Sequence, residues 1–183
     1  MATPAVPAPL AQLPNALTVL RLVLVPVFVV LMLRADGEAS VAAGIVFAAA
    51  GITDQVDGWL ARRWQVESRF GTLADPLADR LMIDAAVLLL WVGDRLPWPA
   101  LAIVLARDAL LLGGYRFVVP RGYDFEVTQV GKVATWLLYA ATMLLIVTGS
   151  GTVWPLWLFW LGLGLAVVAA VQYLLKARRE VRT

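Results

Sequence analysis

The sequence contains no cysteine and no histidine, and only 15% of its 183 residues are charged. Without thiols or imidazoles there is no disulfide, no thiol nucleophile, no zinc site of the Cys/His kind and no histidine acid–base chemistry. Any chemistry must come from carboxylates, hydroxyls and bound cations. The shortage of charge excludes more. An ordinary soluble domain is about 25% charged and about 45–50% apolar, whereas this chain is 61% hydrophobic with a mean hydropathy of +0.81. That composition indicates an integral membrane protein, with one domain over 1–183. Basic residues are also missing from the start, since none precedes Arg21. The Pro/Ala-rich lead over 1–15 therefore reads as a mature N-terminus rather than a secretory signal. Leu10 and Leu13 give it a short interfacial segment.

A spanning helix needs about 20 mostly apolar residues, and six stretches qualify: 16–33, 39–62, 72–92, 97–117, 131–149 and 153–175. The expected fold is an all-α integral membrane protein, a bundle of six transmembrane helices. Turn-forming residues fill the breaks at RADGE (34–38), GDRLP (93–97), PRGYD (120–124) and GSG (149–151). The 63–70 link is short and polar, which makes spans two and three antiparallel neighbours. With the N-terminus inside, the inner connections hold Arg62, Arg63, Arg69, Arg116, Arg121 and Lys132, and the tail adds Lys176, Arg178, Arg179 and Arg182; the outer ones hold Arg34 and Arg95. Positive charge collects on the cytoplasmic face, so a multi-pass inner-membrane protein with both termini and its active site inside is expected. Trp91, Trp98, Trp154 and Trp157 fall at the outer ends, as an aromatic belt does. No internal repeat is present, and the expected surroundings are a lipid bilayer, with no nucleic-acid partner.

One window breaks the apolar pattern. Residues 54–80, DQVDGWLARRWQVESRFGTLADPLADR, hold four aspartates between two apolar runs. On a helix turning about 100° per residue, Asp57, Gly58 and Ala61 lie within about 60° of Asp54, and Arg62 at about 80° on one edge. On the next helix Gly71, Asp75 and Asp79 recur at every fourth position along one stripe. Pro76 fits if that helix begins near Thr72, where its missing N–H falls in or near the first turn. An Asp at the centre of a membrane helix costs about 2.5–3.5 kcal/mol, and divalent cations offset the repulsion among four. Oxygen ligands alone suit Mg2+, Mn2+ or Ca2+ rather than zinc. Small residues beside the carboxylates leave room for a ligand, and the forked Arg62 suits a phosphate. A phosphate ester held by two metals fits this set. Intramembrane acids also serve as ion or proton pathways and as structural ion pairs, and a cation transporter is the alternative of a different class.

The spacing Asp54-x2-Asp57-Gly58-x2-Ala61-Arg62-x8-Gly71-x3-Asp75-x3-Asp79 resembles the complete signature of the CDP-alcohol phosphotransferase family. LPNALTVLR (13–21) is similar to the N-terminal motif of that family's phosphatidylglycerophosphate synthase and cardiolipin synthase branch, and GKVAT (131–135) to its GK-x-x-T element. The resemblance implies a six-helix membrane fold, typically a homodimer, that transfers a phosphatidyl group from CDP-diacylglycerol to an alcohol with release of CMP. It implies that Asp54, Asp57, Asp75 and Asp79 hold Mg2+ or Mn2+, two ions in all, with Asp79 also the general base. Gly58, Ala61, Arg62 and Gly71 would receive the CDP part, joined by Arg21, which otherwise snorkels.

The acceptor alcohol is less defined. Arg107, Arg116 and Lys132 lie on or beside later spans and suit a phosphorylated acceptor such as glycerol 3-phosphate. Arg107 has a competing reading as the ion-pair partner of Asp108. Arg116, Arg121 and the tail KARREVR also read as topology and headgroup charges. Asp84 and Asp108 lack a motif match and are expected to pair with arginine, while Gly162 and Gly164 are expected to serve close helix packing. Ala134 stands where the glycerophosphate branch often has a second lysine, which keeps phosphatidylglycerol, and so cardiolipin synthesis, open as the alternative.

Overall fold

A computed structural model describes the backbone of residues 13–64, 69–118 and 129–180, and the side chains of Leu13, 16–56, 80–110 and 129–173. Six helices account for this backbone: α1 (Leu13–Ala35), α2 (Val41–Trp64), α3 (Arg69–Val92), α4 (Trp98–Val118), α5 (Gln129–Val147) and α6 (Trp154–Glu180). Each expected span has its helix, and the differences lie at the ends. Leu13 begins α1 rather than belonging to a separate segment, while Leu10 and the rest of the lead over 1–12 lie outside the described residues. Helices stop where their backbone is capped, not where side chains turn polar. α6 accordingly runs on to Glu180, through a tail that the apolar pattern ends at 175.

Three stretches among the described residues are long and apolar enough to cross a membrane: Ala16–Ala35, Gln129–Val147 and Trp154–Tyr173, in α1, α5 and α6. The apolar part of α2 is the shorter Val41–Val56. The other three helices carry charges along their length, from Asp54 to Arg63 on α2, Asp75 to Asp84 on α3, and Arg107, Asp108 and Arg116 on α4, while α1 also holds Arg21, α5 Lys132, and the end of α6 Lys176, Arg178, Arg179 and Glu180.

Three turns meet at one end of the bundle and fix its up-and-down order. α3 ends in a Schellman motif: Asp94 takes a left-handed φ of 54°, its N–H bonds to Trp91 O at 3.0 Å, and Arg95 N–H reaches back to Leu90 O at 2.7 Å. Ser40 caps α2 through Oγ, which accepts from Ala43 N–H at 3.2 Å. Its own N–H donates to Ile146 O at 2.9 Å, tying the start of α2 to the end of α5. Arg95 Nη1 donates to Gly37 O at 3.2 Å and Nη2 to Leu145 O at 2.7 Å, with a further bond to Thr148 O. Burial pulls the Arg95 guanidinium below its ordinary pKa, and Glu38 partly restores it. Gly37, at φ +81°, lies so close to Gly93 that a Cβ on Gly93 would meet Gly37 Cα at 2.9 Å. The α1–α2, α3–α4 and α5–α6 turns therefore share one end, which makes α2 and α3 antiparallel. The exposed Trp91, Trp98, Trp154 and Trp157 stand at the same end.

α5 packs most extensively on α6, and α1 packs on both α2 and α3 more extensively than they pack on each other. The α5/α6 approach is close because Gly162 has no side chain: a Cβ there would meet Leu138 N at 3.1 Å. Rings join α1, α2 and α5, with Phe28 to Phe47 centroids 5.8 Å apart and Phe47 to Tyr139 5.4 Å. Outward faces present Val30, Leu33, Ile45, Trp136, Leu161 and Val168. An apolar exterior of this kind requires lipid rather than water around it.

Candidate active site

The signature lies at the end away from those turns, on the last part of α2 and the first part of α3. At about 1.5 Å per residue, Asp54, Asp79 and Lys132 stand about 20 Å along their helices from the turn end, and Arg21 is level with them. Four helices thus bring their ionisable residues to one layer.

Arg21 is 1% exposed, on a face of α1 that also buries Thr18 one turn earlier. Its Nη1 forms an ion pair with Asp54 Oδ1 at 3.1 Å, while Gln55 Nε2 donates to Asp54 Oδ2 at 3.2 Å. A charge this deeply buried requires a partner, which rules out snorkelling for Arg21. Among the described residues each Asp54 oxygen has one partner, so the carboxylate is oriented while keeping acceptor capacity toward them. Such an oxygen-only donor fits a hard divalent cation.

Asp57, Gly58, Ala61 and Arg62 lie on α2, and Gly71, Asp75 and Asp79 on α3, with side chains outside the described ones. Both segments are helical, so the three- and four-residue spacings place these positions on common faces. Among the described residues no group of three or more metal-ligating side chains occurs, because only Asp54 of the four aspartates belongs to that set. The expected helix start at Thr72 is corrected: α3 begins at Arg69. Pro76 therefore sits inside the helix and removes the N–H that would serve the Thr72 carbonyl.

α4 contributes a second charged group. Asp108 is buried and pairs with Arg80 of α3, Nη1 to Oδ1 at 2.9 Å. The same Nη1 donates to the Asp108 backbone carbonyl at 3.3 Å. Arg107 Nη1 lies 3.6 Å from Asp108 Oδ1, a looser contact that leaves most of its guanidinium donors available. The contact accords with the reading of Arg107 as an ion-pair partner of Asp108. Asp84 lies beside the same group, with Oδ1 buried and without a hydrogen-bond partner among the described residues. On α5, Lys132 is exposed and Ala134 fully buried, while Thr135 Oγ1 donates back to Gly131 O at 2.9 Å. Position 134 therefore serves packing in this chain, and Lys132 is the exposed cation of the element. Arg116 lies on α4 with its side chain outside the described ones.

The sequence reading missed Arg80 and Thr18. Arg80 directly follows Asp79, and Thr18 lies inside the 13–21 motif one turn before Arg21, which was the available signal.

Residues 11–168 match the family described as CDP-alcohol phosphatidyltransferase. The chain is 38% identical over 182 residues to a cardiolipin synthase (CMP-forming) of Streptomyces coelicolor, covering 93% of this chain and 84% of that protein. It is 34% identical to a probable phosphatidylglycerophosphate synthase of Mycobacterium tuberculosis, covering 95% and 85%. A CDP-diacylglycerol–glycerol-3-phosphate 3-phosphatidyltransferase of Shigella flexneri is 31% identical, covering 92% and 96%.

Proposed function

Because the chain belongs to the CDP-alcohol phosphatidyltransferase family, we propose that it transfers the phosphatidyl group of CDP-diacylglycerol to glycerol 3-phosphate and releases CMP. It is a membrane-embedded enzyme of phospholipid synthesis. The observation that supports this reading is the complete eight-position signature, which falls on the last part of α2 and the first part of α3. In the reaction the acceptor hydroxyl oxygen forms a new bond to the phosphatidyl phosphorus, the bond from that phosphorus to CMP breaks, and the hydroxyl proton passes to Asp79.

The family is generally metal-dependent. Asp54, Asp57, Asp75 and Asp79 would hold Mg2+ or Mn2+, two ions in all, and bound metal would neutralise the pyrophosphate charge. The protein itself mainly positions its substrates. Gly58, Ala61 and Gly71 admit the CDP part and Arg62 faces its phosphates. Arg21 acts on the donor side through Asp54, whose carboxylate it orients. Arg107, Arg116 and Lys132 receive the acceptor phosphate. All six helices of this single domain span the inner membrane, and the basic end faces the cytoplasm. The working form is a homodimer.

A second reading has its own support, since the Streptomyces relative is named a cardiolipin synthase and Ala134 removes one cation from the acceptor side. An acceptor panel tests both. Purified protein with Mg2+ or Mn2+ and CDP-diacylglycerol is expected to release CMP with glycerol 3-phosphate. Turnover with phosphatidylglycerol alone assigns cardiolipin synthesis instead, and no CMP release with any alcohol sinks the class.

A further inference from the structure

Two helices must cooperate on one acceptor molecule. In the proposed reaction its hydroxyl meets Asp79 on α3 while its phosphate meets Arg107 on α4, and the acceptor's short covalent chain limits the distance between those two groups. Something must therefore hold α3 and α4 in register. The residues following Asp79 and Arg107 do so: Arg80 bonds both the side chain and the main chain of Asp108, at 2.9 and 3.3 Å. A grip on the carbonyl as well as the carboxylate resists sliding along the helix as well as separation.

We infer that Asp108 is a positioning residue that sets the spacing between the base position on α3 and the phosphate-binding Arg107 on α4. It acts in two directions. Through Arg80 it fixes the height of residue 79, and through its 3.6 Å contact it steadies the Arg107 side chain without consuming its donors. A slip of one residue between the helices moves the two groups by about 1.5 Å, and a misplacement of about 1 Å costs about 100-fold in rate. The buried clamp therefore matters more for rate than its contribution to stability suggests. This inference rests on the proposed function.

The test is steady-state CMP release by Asp108→Asn, Asp108→Glu and Arg80→Lys, titrated separately in donor and acceptor, with thermal unfolding followed in the same detergent. Asp108→Asn is expected to lower kcat by about 100-fold and to raise the glycerol 3-phosphate KM about tenfold, with the CDP-diacylglycerol KM unchanged. Asp108→Glu, which keeps the charge, should recover most of the acceptor KM. Arg80→Lys, which keeps the charge but loses the fork, should repeat the acceptor effect if Asp108→Asn does not fold. Unchanged kinetics in folded variants, or donor and acceptor KM rising together with a loss of thermal stability, would overturn the inference. Wild-type turnover with phosphatidylglycerol alone refutes the acceptor reading instead, and the same titrations with phosphatidylglycerol then decide on Asp108.

Discussion

Arg21 on α1 and Asp54 on α2 form an ion pair at 3.1 Å between an almost wholly buried guanidinium and a carboxylate that is one-quarter exposed. The pair joins the N-terminal motif to the aspartate signature. It also accounts for a full positive charge on the most apolar helix of the bundle, because the counter-charge arrives from the neighbouring helix.

Removing one partner of such a pair leaves a buried charge uncompensated. Arg21→Ala is expected to lower stability toward the low end of about 3–5 kcal/mol, since Asp54 keeps some solvent. Thermal unfolding in detergent of Arg21→Ala, Asp54→Asn and the double variant measures the coupling; independent, additive effects would show that the pair contributes nothing.

Asp79→Asn is expected to abolish transfer while leaving part of metal and donor binding, because it removes a proton acceptor but keeps an oxygen ligand. Asp57→Asn should weaken metal binding, raising the Mg2+ or Mn2+ concentration needed for CMP release. Wild-type turnover in Asp79→Asn rules out the base assignment.

Gly162 and Gly164, close in sequence, are expected to respond in opposite directions. A Cβ at Gly162 meets Leu138 N at 3.1 Å and Leu137 Cβ at 3.2 Å, whereas among the described residues nothing lies within 4 Å of one at Gly164. Gly162→Ala should cost about 1–3 kcal/mol by overpacking. Gly164→Ala should be neutral or gain up to about 1 kcal/mol from helix propensity. Chemical denaturation in micelles reads both.

Arg95 ties three turns through carbonyls of Gly37, Leu145 and Thr148. Arg95→Ala should lose at least about 1.5–3 kcal/mol, and Gly93→Ala should destabilise the same end by forcing Gly37 away. Both variants should leave KM values near wild type, since the turns stand at the far end from the signature; a selective change in acceptor KM would contradict that separation.

The sequence by itself determined the helices and the signature of the family to which the chain belongs. Apolar runs and their Gly/Pro/Asp breaks specify six helices, because a backbone removed from water must satisfy its own hydrogen bonds locally. The aspartate spacing likewise specifies shared faces, since helical period is a local property. Tertiary structure decided what depends on meetings between distant residues. Pattern alone left Arg21 open between snorkelling and donor binding, and the structure supplies Asp54 as a counter-charge for its burial. Gly162 and Gly164 read alike until packing put α5 against one of them. Arg80 carried no motif, yet it is the residue that joins α3 to the buried Asp108. Ion pairs and close helix contacts link residues tens of positions apart, and a local pattern holds no record of which distant residue will face which.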